Sequence, residues 1–243
     1  INMYEDLPQR KVHDVFMSLM YGDQPAGWDI AGPKENIRAM NREQFLKYRA
    51  AHYVPRATAV IVAGAFDEKK VLAQLESLFG SMPAGPKAPK IATTEKQTKP
   101  EIALKFKQSD QSHLVIGCRA FAVNDERRYA LDVLSDVLGG GMSSRLFQRV
   151  REQMGAAYYV RASSDLYTDH GYFAVAAGVE HSKLEPVVSA ILEELAKTAA
   201  APIPADELRR AKDHLSGGLL LGLETSDSLA NYYGAQEVLH LPL

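Results

Sequence analysis

Apolar positions recur with two different periods along this chain, and the switches between them mark its elements. Val12 to Met20 carries a helical spacing, while Tyr21-Gly22-Asp23-Gln24-Pro25 and Gly32-Pro33 are loop signals. Asn41 with Gln44 three residues on is a capping-box pattern that predicts a helix through Phe45 and Tyr48 toward Tyr53, stopped by Pro55. Thr58 to Gly64 is a short apolar run that predicts a strand. Asp67 then opens a helix with Val71, Leu72, Leu75, Leu78 and Phe79 on one face, closed by Gly80. Further along, Glu101 to Lys107 alternates Ile102, Leu104 and Phe106 against charged residues, as a half-buried strand does, and Leu114 to Arg119 predicts another.

The remaining pattern alternates helices and strands. Asn124 or Asp125 is placed to cap a helix carrying Leu131, Leu134, Val137 and Leu138, which ends at Gly139-Gly140-Gly141. A second helix starts at Ser143 or Ser144, runs through Leu146, Phe147 and Val150, and stops at Gly155. Strands follow at Ala157 to Ala162 and Tyr172 to Gly178. In the first of these, simple alternation sets Tyr158 and Val160 on one side and Ala157 and Tyr159 on the other. Leu184, Val187, Val188, Ile191, Leu192 and Leu195 mark an amphipathic helix; Pro204 opens another toward Leu221, and Glu224 to Leu239 reads as a last one.

Residues 81–100 break this pattern with four prolines, several lysines and almost nothing large and apolar. They are read as a linker between residues 1–80 and residues 101–243. Val62-Ala63-Gly64 and Ala176-Ala177-Gly178 each lead through an acid-containing turn into a helix. That echo predicts an α+β protein of two related lobes, with mainly antiparallel sheets covered by helices.

Composition narrows the partners. Hydrophobic, charged and aromatic shares of 46%, 24% and 8% are ordinary for a globular chain. A net charge of −2 gives no electrostatic footprint for nucleic acid or an anionic membrane, and no apolar run is long enough to span a bilayer. The single cysteine, Cys118, excludes an internal disulfide and is expected to be a small buried hydrophobe.

Autonomous catalytic sets are missing from the sequence. The histidines are His13, His52, His113, His170, His181, His214 and His240, and no two stand four apart as H-x-x-E-H requires. Neither a G-x-S-x-G elbow nor a phosphate-binding glycine loop occurs. Asp169-His170 is expected to be a solvated hairpin turn. The stretch that carries chemistry is Gly139-Gly140-Gly141, then Ser143-Ser144-Arg145-Leu146-Phe147, Arg151-Glu152 and Gly155-Ala156-Ala157-Tyr158. Glycines let a chain pass close to another body. Arg151, at a helix end, and Tyr158, at the next strand's start, can approach each other across the turn. A guanidinium fork and a phenol hydroxyl suit gripping peptide carbonyls or a developing oxyanion.

This order of motifs resembles the C-terminal half of the insulinase-like, or pitrilysin-type, zinc peptidases, which include the mitochondrial processing peptidase subunits and many small bacterial members. The family pattern is a glycine-rich turn, Ser-Arg-Leu-Phe, an Arg-Glu pair and Gly-Leu-Ala-Tyr; here Ala156 replaces the Leu, and Ala57 replaces an Asn common after Tyr53-Val54-Pro55. The resemblance implies a processing-peptidase-like fold with Arg151 and Tyr158 as substrate-binding residues for an extended peptide. It also implies that the zinc ligands belong to the first half of the parent. Ile1-Asn2-Met3 with Glu5-Asp6 resembles the chain just beyond the third ligand, so the first lobe is expected to be truncated and without metal ligands. Zinc is then expected in the full-length parent and none in this chain, which alone should cleave nothing. Homo- or heterodimers and a soluble bacterial cytoplasmic or periplasmic setting complete the expectation. The alternative is a non-catalytic partner subunit that binds or presents peptides; a third reading is a purely structural member, as in respiratory-complex core subunits.

Overall fold

The computed structural model describes residues 2–242 and is α+β. Its helices are α1 (Asn2–Glu5), α2 (Pro8–Tyr21), α3 (Lys34–Ala39), α4 (Arg42–His52), α5 (Glu68–Phe79), α6 (Arg128–Gly139), α7 (Leu184–Ala200), α8 (Ala205–Gly222) and α9 (Ser226–Leu239). Strands β1 (Ser112–Ala120), β2 (Ala157–Leu166) and β3 (Gly171–Val179) form an antiparallel sheet in the order β1-β3-β2. Among the described residues no helix is long and apolar enough to cross a membrane.

Contacts divide the chain into two compact units, Ile1–Ala31 with Ala92–Gly217, and Gly32–Ile91 with Gly218–Leu243. This partition differs from the 1–80, 81–100 and 101–243 reading of the sequence, and the reason lies in the first unit's sheet. Strand β3 is central and almost wholly buried. Its odd residues Phe173, Val175, Ala177 and Val179 enter a core with Leu138 of α6, Leu146 and Val150, and Val187 and Ile191 of α7. Its even residues Tyr172 and Ala174 need a second cover, and Phe16, Met20 and Tyr21 of α2 provide it. Phe16 meets Tyr172 edge-on at 5.3 Å, and the Tyr21 hydroxyl donates to the Gly171 carbonyl at 3.0 Å. Burying each such side chain stabilises by roughly 1.5–3 kcal/mol, which draws the N-terminal helix across the sequence to this sheet.

The later part of the expected linker is held by side chains. The Gln24 amide pairs with both main-chain groups of Thr94, donating to its carbonyl at 2.7 Å and accepting from its N–H at 2.8 Å. Asp169 accepts from the Thr93 N–H at 2.9 Å, and Arg119 donates to Gln97 O at 3.3 Å. Residues 93–97 are therefore strapped to the first unit by side chains that imitate a ladder.

Two expected strands do not pair. Thr58 to Gly64, in the second unit, and Glu101 to Lys107, in the first, lie outside the sheet. Alternation alone makes no strand; a hydrogen-bonding neighbour does. In the latter segment Lys105 pairs with Glu5 at 2.9 Å and Lys107 with Asp6 at 3.5 Å, while Ile102, Leu104 and Phe106 stay 86%, 92% and 95% exposed. Lysine hydrogen bonds from Lys105 and Lys11 hold the Glu5 carboxyl down to about 2.

Helices of the second unit begin where the sequence indicates. Asn41 and Gln44 form the reciprocal capping box at 2.9 and 3.1 Å, and the Asp67 carboxylate accepts from the Lys70 N–H at 3.2 Å. In the first unit, by contrast, Asp125 does not cap α6; it receives the Arg127 N–H and guanidinium in the preceding turn, and the helix starts at Arg128.

Phe16→Ala tests whether α2 is an integral cover of the sheet. Truncation should lower unfolding free energy by about 3–5 kcal/mol. A urea transition whose midpoint is unmoved would show that α2 is dispensable to this core.

Candidate functional site

After α6 the chain reverses twice, and both reversals shape the region around Arg151 and Tyr158. A Cβ on Gly139 would lie 2.1 Å from the Ala162 nitrogen and 2.8 Å from the Ala162 Cβ. That glycine is what allows the end of α6 to touch the main chain of β2. Gly140 is crowded by Asp136, whereas a Cβ on Gly141 would have only the His214 ring within contact, at 3.9 Å. The nearest atoms around the three glycines thus belong to β2, Asp136 and His214, not to Arg151 or Tyr158.

The expected second helix is wider than an α-helix. Phe147–Gln153 is π-helical, with the Met154 N–H reaching back to Arg149 O at 3.1 Å. Its arginines diverge. Arg145 makes a two-pronged pair with Glu207 at 2.8 and 2.6 Å and donates to the Thr198 hydroxyl at 3.0 Å. Arg149 pairs with Glu193 and Glu194 and donates to Ala190 O at 3.2 Å. These contacts fasten the segment to α7 and α8, a role that no local sequence signal announced. Hydrogen bonding to Glu207 and to Glu193 raises the two guanidinium pKa values further.

Arg151 turns the other way. Its guanidinium sits 5.1 Å from the Phe147 ring and donates to the Tyr158 carbonyl at 3.0 Å. The structure thus brings Arg151 and Tyr158 together through the tyrosine's main chain. Strand register explains why that carbonyl is available. Ala157 stands opposite Val179 and Tyr159 opposite Gly178, so Tyr158 is the extra residue of a β-bulge. Ala157 joins Val160 against the helix-side core, and Tyr159 lies on the other face. Simple alternation, which grouped Ala157 with Tyr159, is corrected here: the bulge breaks the two-residue period. Tyr158 is left 59% exposed instead of following Val160 into the core.

Behind the bulge, the Tyr159 ring packs over Gly178, where a Cβ would fall 2.3 Å from its Cε1. The Tyr159 hydroxyl and His113 Nδ1 share a 3.0 Å hydrogen bond. Burial pushes the Tyr159 hydroxyl up to about 12 and the His113 imidazole down.

Two other expectations change. His170 is buried, not solvated: its ring stacks on Tyr167 at 4.5 Å, meets Tyr21 edge-on at 4.8 Å and lies 2.8 Å from Asp169. Cys118, near the C-terminal end of β1, is exposed, whereas Leu114 on the same strand is buried. Among the described residues no group of three or more His, Cys, Asp or Glu side chains is arranged to hold a metal ion. Zinc, with its need for about three converging protein ligands, does not fit the described residues.

The family model described as the peptidase M16 inactive domain matches residues 39–215, well over half of the chain. The chain belongs to the M16 peptidase family. It is 35% identical to an uncharacterized zinc protease of Streptomyces coelicolor, over 98% of this chain and 53% of that protein. An uncharacterized zinc protease of Bacillus subtilis is also 35% identical, over 98% of this chain and 58% of its own length. The chain therefore spans about half the length of the curated relatives it matches. A protease from Helicobacter pylori superposes with a TM-score of 0.86 at 21% identity, over 98% of this chain and 59% of that one. The peptidase M16 inactive domain from Pseudomonas fluorescens gives 0.84 at 21% identity, over 99% of this chain and 57% of that one. At these identities the two structures speak for the fold.

Gly139→Ala should destabilise the protein by about 1–3 kcal/mol, because its methyl must displace main chain rather than a flexible side chain. Gly141→Ala should stay within about 0.5 kcal/mol of the parent. Chemical-denaturation midpoints at equal slope compare them, and equal losses at both sites would contradict the packing role assigned to Gly139.

Proposed function

We propose that this chain is the substrate-handling part of a zinc endopeptidase, contributing Arg151 and Tyr158 to an extended peptide bound opposite a metal centre carried elsewhere in the parent. The observation that carries the reading is the bulge: it turns a tyrosine out to solvent at the point where an arginine grips its carbonyl. A hydroxyl so presented can donate to a substrate carbonyl as negative charge develops on its oxygen, while Arg151 has further N–H donors for a neighbouring peptide carbonyl. The names of the relatives, zinc proteases roughly twice as long as this chain, support the same assignment. The described residues of this chain act on the peptide through hydrogen-bond donors alone.

Tyr158→Phe in the intact parent protein removes one hydroxyl and almost no volume. Peptide turnover should fall on the order of a hundredfold, with KM little changed, since the donor acts on the transition state. Full turnover in a normally folded variant would reduce the pair to scaffolding.

A further inference from the structure

Tyr158 is exposed, yet the residues on either side of it are not free to move. Ala157 is held against the helix-side core, and Tyr159 is seated on the opposite face in the space that Gly178 leaves open. His113, which pairs with Gly178 across the β1–β3 ladder, closes that seat with its hydrogen bond to the Tyr159 hydroxyl. The His113 and Tyr159 rings lie 5.9 Å apart at 26°, so the contact is stacked as well as polar.

We infer that His113, Tyr159 and Gly178 form a lock that positions Tyr158. A bulge can shift by one residue along a strand, and each shift moves a different side chain outward. If the bulge moved so that Tyr159 became the extra residue, regular alternation would carry Tyr158 toward the face that Tyr159 now occupies. Regular pairing without a bulge would send Tyr158 to the helix side with Val160. Seating Tyr159 over a residue without a side chain, and tying its hydroxyl to His113, opposes both alternatives. Arg151 completes the arrangement from the other side by holding the Tyr158 carbonyl. His113 and Tyr159 are thus positioning residues; neither needs to touch substrate. This inference rests on the proposed role of Tyr158 for its activity readout, but the lock itself is a statement about main-chain register.

The test uses the intact parent protein with a peptide substrate, plus amide hydrogen exchange over residues 156–160. Tyr159→Phe keeps the ring and removes the hydrogen bond; turnover should fall about fivefold with KM unchanged, and exchange over 156–160 should quicken. Gly178→Ala displaces the ring, so the loss should exceed tenfold. In a Tyr158→Phe background Tyr159→Phe should cost nothing more, because it acts only through the hydroxyl already removed. Losses that multiply independently in the double variant would overturn the lock, as would unchanged exchange over 156–160 in both single variants. If Tyr158→Phe alone proves fully active, the proposed function fails, and the exchange measurement still decides the lock. Should Gly178→Ala not fold, Tyr159→Phe, a change of one oxygen atom, carries both readouts.

Discussion

Strand β3 has almost no surface in contact with water, and the architecture of its unit follows from having to cover both of its faces. A three-stranded sheet with one face bare would leave Tyr172 and Ala174 in solvent. The chain meets this with helices from distant parts of the sequence: α6 and α7 over the odd residues, α2 over the even ones. Once α2 is committed there, its neighbours follow. Arg119 on β1 donates to Met20 O at 2.6 Å, and Gln24, just past the helix, seizes Thr94. One burial requirement thereby places residues 2–31 and 92–99 beside a sheet whose central strand begins 150 residues after α2 ends.

The same two-faced strand sets the conditions for Tyr158. Both of its immediate neighbours have seats, Ala157 in the helix-side core and Tyr159 over Gly178. Those seats lie on opposite faces, although the residues are two apart, so a regular strand cannot satisfy them. A bulge can, and the residue it expels is Tyr158. Exposure of a large aromatic at a strand start is therefore a product of packing on either side, not of a local preference of tyrosine.

Much of this was readable from sequence where the signal is local. Asn41, Gln44 and Asp67 cap their helices as their spacing implies, and the three paired strands contain the apolar runs expected at 114–119, 157–162 and 172–178. Signals that depend on a distant partner were not readable. Thr58 to Gly64 and Glu101 to Lys107 have strand-like patterns but no ladder, since pairing is decided by a neighbour and not by alternation. His170 looked like a turn residue because nothing in its own segment announces Tyr21, which buries it from the other end of the chain. Around the candidate site, the seven-residue spacing of Arg151 and Tyr158 was visible, whereas the bulge at Tyr158 and the Tyr159–His113 contact were not.

The three arginines in and just before the π-helical segment differ in what holds them. Arg145 and Arg149 are matched with Glu207, Glu193 and Glu194, and a guanidinium held by carboxylates has little left to offer a ligand. Among the described residues Arg151 has a neutral carbonyl and an aromatic face instead, so its positive charge is oriented without being neutralised. An oriented, uncompensated cation at the exposed start of β2 keeps N–H donors for an electron-rich group, which is what the proposed peptide contact asks of it. Arg145 and Arg149 brace the helices behind, while Arg151, in the last turn of the π-helical segment, reaches the start of β2.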